Sequence, residues 1–152
     1  MIHKILEAIK QGEGLKIEFK ECKNKLNKDV YETVCAFLNR NGGEIFLGVK
    51  DNGDITGVDI ESLAQIKKDF VTVMNNANKI SPTYYLSIKE FEIYGKKILY
   101  IFVPESSQVH RCNGQIYDRN QDGDFNITDN TNQVAAIYER KQTTYILSSQ
   151  KL

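Results

Sequence analysis

Apolar residues recur along the chain at two different spacings, and the switches between them mark out the elements. Ile2, Ile5, Leu6 and Ile9 fall three or four apart before Gly12, which predicts a short amphipathic helix over residues 2–11. Leu15, Ile17 and Phe19 then alternate with Lys16, Glu18 and Lys20, the period of a half-buried strand. Val30, Val34, Phe37 and Leu38 return to helical spacing, with Asn27 as the expected cap and the glycine-ended stretch 39–43 as the exit. Residues 44–50 (E-I-F-L-G-V-K) are rich in apolar and β-branched residues, so they predict an interior strand. Asn52-Gly53 predicts a type I′ hairpin turn, with a short strand over 55–58 beyond it. Leu63, Ile66, Phe70, Val73 and Met74 mark a third helix that closes before Pro82. Two long strands over 84–93 and 97–103, joined around Gly95, a short strand over 115–119 and a last helix over 132–141 complete the order. No linker, repeat or low-complexity stretch interrupts it. The expected fold class is α+β, one domain with a mixed β-sheet packed with three to four helices.

Composition narrows the function classes. The 152 residues carry 20 Lys plus Arg against 20 Asp plus Glu, so the net charge is zero, and 41% are hydrophobic. That supplies one real core and excludes a disordered tail, a collagen-like repeat and a disulfide-rich miniprotein. No run approaches the ~18 apolar residues of a membrane span, and residues 1–11 carry charge where a signal peptide would be apolar. Cys22, Cys35 and Cys112 are odd in number and form no C-x-x-C pair, which fits a reducing cytoplasm and argues against a zinc site.

A neutral chain needs a local basic patch to hold nucleic acid. Lys16, Lys20, Lys23, Lys25 and Lys28 crowd into one strand-and-loop segment, broken by Glu18 and Glu21. Asn39 and Arg40 stand beside Gly42-Gly43, whose bare backbone can let a phosphate approach, and His110, Arg111 and Arg119 can add a second patch. The alternative is a solvated lysine face. Tyr84, Tyr85, Tyr94, Tyr100 and Tyr117 offer stacking surfaces or cross-strand packing. Gly42-Gly43 and Gly48 lack the G-K-S/T of a phosphate loop, so a helix cap and close backbone packing are the expected uses.

Glu13 sits in a glycine bend just before the first strand, Glu18 on that strand's polar face, and Asp51 at the end of the 44–50 strand. Carboxylates converging there can hold magnesium or manganese, whose hard charge prefers oxygen ligands. Otherwise the glutamates are solvated partners of lysines and Asp51 is a turn residue. Asp118, Asn120, Asp122, Gly123, Asp124 and Asp129 match the spacing of a calcium loop, with Asp at the closing position and no flanking helix; a polar turn is the alternative.

Several stretches together resemble one family: E-x-x-x-x-E-F-K at 13–20, A-F-L-N-R-N-G-G at 36–43, and I-F-L-G-V-K-D-N-G-x-I-x-G at 45–57. With Y-G-K-K-I-L-Y-I-F-V-P at 94–104 and G-Q-I-Y-D-R at 114–119, this order is similar to the Schlafen-type AlbA domain over a core of about residues 10–140. The resemblance implies an AlbA-like α+β fold that binds DNA or RNA, usually at the start of bacterial transcriptional regulators, and a two-lobed homodimer. In some Schlafen proteins two glutamates and a later aspartate cut RNA with a metal ion, and the matching positions are Glu13, Glu18 and Asp51. Here Leu38-Asn39-Arg40-Asn41 replaces the family's A-N-T or A-N-S before Gly-Gly, and an acidic loop follows Arg119. The leading expectation is a nucleic-acid-binding module of a transcriptional regulator. A metal-dependent ribonuclease is the runner-up, and a small-molecule or protein interaction module is a third class.

Overall fold

The most uniformly apolar helix lies at the centre of the molecule. The computed structural model describes residues 1–150, and their side chains through residue 143. In order the elements are α1 (Ile2–Gln11), β1 (Ile17–Lys20), α2 (Val30–Asn39), β2 (Gly43–Leu47), α3 (Leu63–Met74) after a 3-10 turn (Ile60–Ser62), β3 (Ile80–Ser81), β4 (Ile88–Ile93), β5 (Lys96–Val103), β6 (Arg111–Cys112), β7 (Gln115–Asn120), β8 (Gly123–Asn126) and α4 (Thr131–Gln150). Every residue of α2 except Glu32 is buried. A helix apolar on all sides must be packed on all sides, and two four-stranded sheets enclose this one.

The first sheet runs β1-β2-β5-β4, with β1 parallel to β2 and the other pairs antiparallel. Its centre is covered on both faces, which explains the unbroken apolar run of β2. Ile45, Leu47, Leu99 and Ile101 pack under α2 and α3. Phe19, Phe46 and Ile98 pack against Ile5, Ala8 and Ile9 of α1. The second sheet, β3-β6-β7-β8, is antiparallel throughout and meets α4 where Ile137 packs on Ile116 and Ile127.

The C-terminal end of α2 is held from a distance. At its C-terminus the Leu38 carbonyl accepts from the Lys141 ammonium at 2.9 Å, and the Asn39 carbonyl accepts from Arg140 at 2.8 Å. Cations placed on the last carbonyls complement the negative end of the helix dipole. Burial, partly offset by Glu105, holds the Lys141 amine down at about 8.

Several expected boundaries shift, each for a local reason. Asn27 is no cap: α2 starts after Asp29, and Asn27 contributes its backbone carbonyl to the Val30 N–H. Leu15 lies outside β1, in a turn closed by the Gly14–Ile17 bridge. β2 ends at Leu47, because Gly48 takes φ 97 and its carbonyl receives the Thr56 and Gly57 N–H groups. The 55–58 segment is thereby an arm with one bridge, Val49–Ile55, rather than a strand. Strand β4 starts only at Ile88, while Leu86 tucks into the core ahead of it. Among the described residues no helix is long and apolar enough to cross a membrane.

Candidate nucleic-acid interface

β1 is an outer strand, and the chain itself closes its free edge. The Glu13 carboxylate accepts the Phe19 N–H at 3.0 Å, and the Gly14 N–H reaches the Ile17 carbonyl at 3.0 Å. The Arg119 guanidinium, arriving from β7, donates to the Gly14 and Ile17 carbonyls at 2.7 and 3.1 Å. An edge so blocked cannot template pairing with another chain. Because Ile17 and Phe19 face α1, strand alternation turns Glu18 and Lys20 to the opposite face. There Arg119 pairs with Glu18 at 2.7 Å and with Asp124 at 2.7 Å, and its guanidinium carbon sits 4.7 Å from the centre of the Phe37 ring.

The predicted carboxylates do share a neighbourhood. Burial first, then contact with Glu18, pushes the Glu13 carboxyl up to about 7, the negative charges of Glu18 and Asp51 adding to the rise. Burial also acts to raise Glu18, but hydrogen bonds from Glu13 and Arg119, with the charges of Lys20 and Arg119, hold it below the usual carboxylate range. Two acids in contact divide in this way: one keeps the proton and donates it to the other. Among the described residues, however, no three His, Cys, Asp or Glu side chains stand at the spacing that holds a metal ion. Glu18 is also no solvated partner of lysines, since its nearest cation is the buried Arg119.

The basic residues divide into a free set and a committed set. Lys16, Lys23, Lys25 and Lys28 are exposed, and among the described residues none has a carboxylate partner. Lys20 is half-buried and pairs with Asp29 at 3.3 Å. The loop carrying the free lysines is tied down by the Asp59 N–H on the Lys23 carbonyl at 2.7 Å. Beside it opens a hollow of about 500 Å³, lined by Glu21, Lys23, Thr56, Asp59, Lys96 and Lys97 among others.

Three expected contacts turn out to be structural. Asn39 is wholly buried: its amide donates to the His110 and Tyr117 carbonyls and accepts the His110 N–H, pinning α2 to the second sheet. Arg119 has a side chain only 1% exposed and is out of a phosphate's reach. The Gly42-Gly43 backbone is packed away as well, because a Cβ on Gly42 would lie 2.5 Å from the Val103 carbonyl and one on Gly43 2.6 Å from the Phe37 ring. Arg40 remains partly exposed but grips Asp118 with both arms of its fork, at 3.0 and 2.7 Å. Arg111 is half-buried and donates within its own turn to the Gly114 carbonyl.

The calcium-loop spacing belongs to a hairpin. β7 and β8 pair antiparallel, Arg119 lies opposite Asp124, and the intended ligands Asp118 and Asp124 are taken by Arg40 and Arg119. The Asn120 side chain accepts the Asp122 N–H to form the turn, and Asp129 is exposed beyond β8. Alternating donors and acidic residues produce the same spacing in a polar hairpin as in a chelating loop. Of the tyrosines, Tyr100 is core and Tyr84 and Tyr117 are half-buried, while Tyr85 and Tyr94 are exposed. Phe102, which the I-F-V run hides as a core residue, is 57% exposed.

Comparison with known proteins agrees with this architecture. The chain is 32% identical over 92 residues to an uncharacterized ATP-binding protein of Ureaplasma parvum, a match covering 59% of this chain and 26% of that one, so this chain spans about a quarter of its curated relative. Among solved structures, the N-terminal domain of a RecG-related protein from Nitrosomonas europaea matches with a TM-score of 0.51 and 26% identity, over 67% of this chain and 71% of that domain. The DIP2311 protein of Corynebacterium diphtheriae shares the fold at a TM-score of 0.59 and 15% identity, over 82% of this chain and 29% of that one. The family model described as Schlafen, AlbA_2 matches residues 13–143. By that match, which spans most of its length, the chain belongs to the Schlafen AlbA_2 family.

Proposed function

We propose that this chain is a nucleic-acid-binding domain, attached to DNA or RNA through the free lysines on either side of β1, one just before it and three in the lysine loop that follows. The observation that carries the reading is the set Lys16, Lys23, Lys25 and Lys28, exposed and without carboxylate partners in a chain of zero net charge. Arg40, Lys67, Lys97 and Arg119 are held in ion pairs, whereas three exposed lysines without carboxylate partners, Lys23, Lys25 and Lys28, crowd into the six residues 23–28. The family and the RecG-related neighbour, which is named for its relation to an ATP-dependent DNA helicase, support the same class of partner. A place in a bacterial transcriptional regulator and a two-fold homodimer are the finer parts of the proposal. ATP, which the Ureaplasma relative's name mentions, has no phosphate loop here to receive it.

Replacing Lys16, Lys23 and Lys25 together by Gln tests the reading in a mobility-shift assay at two salt concentrations. The expected result is weaker binding without sequence preference, and a salt slope shallower by about 0.9 per lost contact on duplex DNA. Unchanged affinity at low salt overturns the assignment of this loop. Light scattering tests the dimer.

Metal-dependent RNA cleavage is the second reading, favoured by the contact between Glu13 and Glu18. Magnesium or manganese would replace the proton held between them and supply a Lewis acid for phosphate chemistry. The arrangement does not fit the ion as it stands: Glu13 is engaged by the Phe19 N–H, Glu18 by Arg119, and no third ligand stands at metal-holding spacing among the described residues. RNA cut faster in manganese than in a metal-free control, and no longer cut by Glu18→Gln, would restore the enzyme reading.

A further inference from the structure

The α1 face of the first sheet is only half covered. α1 packs over Phe46, Val49, Ile93 and Ile98, toward the end of the sheet where β4 turns into β5. Toward the opposite end, β5 carries Phe102 on this same face, cross-strand from Glu44 and two residues on from Tyr100. Ile98–Ile101 and Val103 of that strand are buried, so an exposed phenylalanine within it is an exception to its own element. A hollow of about 320 Å³ forms around it, lined by Tyr84, Tyr85, Lys89, Tyr100, Phe102 and Pro104 among others. Tyr85 is 76% exposed at its rim.

The polar groups set the character of this hollow. The Tyr100 hydroxyl donates to Glu44 at 2.7 Å, so the local carboxylate is engaged at the floor. Lys89 is exposed, and among the described residues it has no carboxylate partner. Tyr84 is braced by the buried His110 ring, edge-on at 5.7 Å, which gives the wall a fixed orientation. Two solvent-facing rings, a hydroxyl–carboxylate pair and one free ammonium suit an anionic ligand with flat apolar parts.

We infer that this aromatic half-face is a stacking platform for unpaired bases of a single-stranded nucleic acid, with Phe102 and Tyr85 receiving the bases and Lys89 the neighbouring phosphate. The inference rests on the nucleic-acid reading above and deepens it, since a duplex keeps its bases stacked internally and has nothing to offer these rings. Charge and shape favour this occupant: Lys89, which lies cross-strand from Tyr100 on this face, places an exposed cation without a carboxylate partner beside two flat solvent-facing rings.

Fluorescence anisotropy with labelled oligo(dT), oligo(rU) and a hairpin duplex tests the platform. Phe102→Ala and Tyr85→Ala should each weaken single-strand binding about fivefold or more, and duplex binding less than twofold. Phe102→Tyr should restore it. Lys89→Ala should lower the single-strand salt slope by about 0.7. Both aromatic positions are exposed, so their thermal midpoints should match wild type, and a folded Phe102→Ala protein with wild-type single-strand affinity overturns the platform. If that protein still loses binding when the lysine loop is neutralised, the platform alone has failed. If the wild type binds none of the three probes, both readings fall. A dimer dispersed by Phe102→Ala, with single-strand binding unchanged, assigns the face to a second copy instead.

Discussion

Glu13 shows how one residue can belong to a family motif and still have a structural job. Its carboxylate closes the β1 edge through the Phe19 N–H, and burial, together with its contact with Glu18, keeps it protonated up to about 7. The folded-state value is raised above the ordinary 4.5, so the folded chain holds this proton more tightly than the unfolded one. The resulting stability is fully present below about 4.5 and is lost as pH rises through 7. Gln keeps the side-chain oxygen and can donate to Glu18 at any pH. Glu13→Gln is therefore expected to melt higher than wild type at pH 8, with the gap closing toward pH 5, as read by calorimetry. Equal melting at both ends would mean that Glu13 is held as the anion. Asn39, at the end of α2, carries the opposite risk, since all three of its bonds are to the backbone of His110 and Tyr117. Removing it strands those groups, and an unsatisfied buried donor or acceptor costs about 1–3 kcal/mol. Asn39→Ala should lose at least about 2 kcal/mol in denaturant unfolding without touching the lysine loop, and a loss under about 0.5 kcal/mol would require water to replace the amide.

Among the elements, those of the first sheet and the first three helices are legible because their periods are. Ile17–Lys20 alternates, α1 and α3 repeat at three and four, and β2 carries the apolar run Ile45–Leu47 because both its faces are covered there. The second sheet escapes the same reasoning. β3 and β6 are two residues long, and β8 reads Gly-Asp-Phe-Asn, which has the chemistry of a turn. Only pairing across the chain makes them strands. The candidate site divides along the same division. The Glu13–Glu18 neighbourhood is visible because Glu13 stands just before one short strand and Glu18 on it. The role of Arg119 is not, because its partner Glu18 lies 101 residues away, and a basic residue without a known partner reads as a phosphate ligand. Phe102 is hidden for the converse reason, since an apolar run does not reveal which of its members lacks a cover. The β7–β8 hairpin also yields a prediction. With Asp118 and Asp124 committed to guanidinium groups, millimolar calcium should leave the thermal midpoint unchanged within error. A rise that saturates with calcium and disappears in Asp122→Asn would restore the chelating loop.

The whole molecule turns on the way its two sheets are joined through α2. Arg119 leaves β7, crosses the Phe37 ring of α2, and ends on Glu18 and on the Gly14 and Ile17 carbonyls at the edge of the first sheet. Asp124 supports it from β8 while accepting a hydrogen bond from Thr33 of α2. One buried cation thus touches both sheets and the helix between them, and its loss leaves Glu18 and Asp124 without their counter-charge in a protected place. Breaking a buried pair by removing one partner costs about 3–5 kcal/mol. Arg119→Met, which keeps the apolar stem over Phe37, is accordingly expected to lower the unfolding free energy by about 3 kcal/mol, and the midpoint by several degrees at this chain length. Hydrogen exchange should show the strands of the second sheet opening ahead of β2 and β5, because their link to β1 is gone. Nucleic-acid affinity measured well below the new midpoint should stay within twofold of wild type, since the guanidinium is only 1% exposed. A stable Arg119→Met protein that has lost binding would reverse the assignment and make Arg119 a contact residue reached by opening of the β7–β8 hairpin.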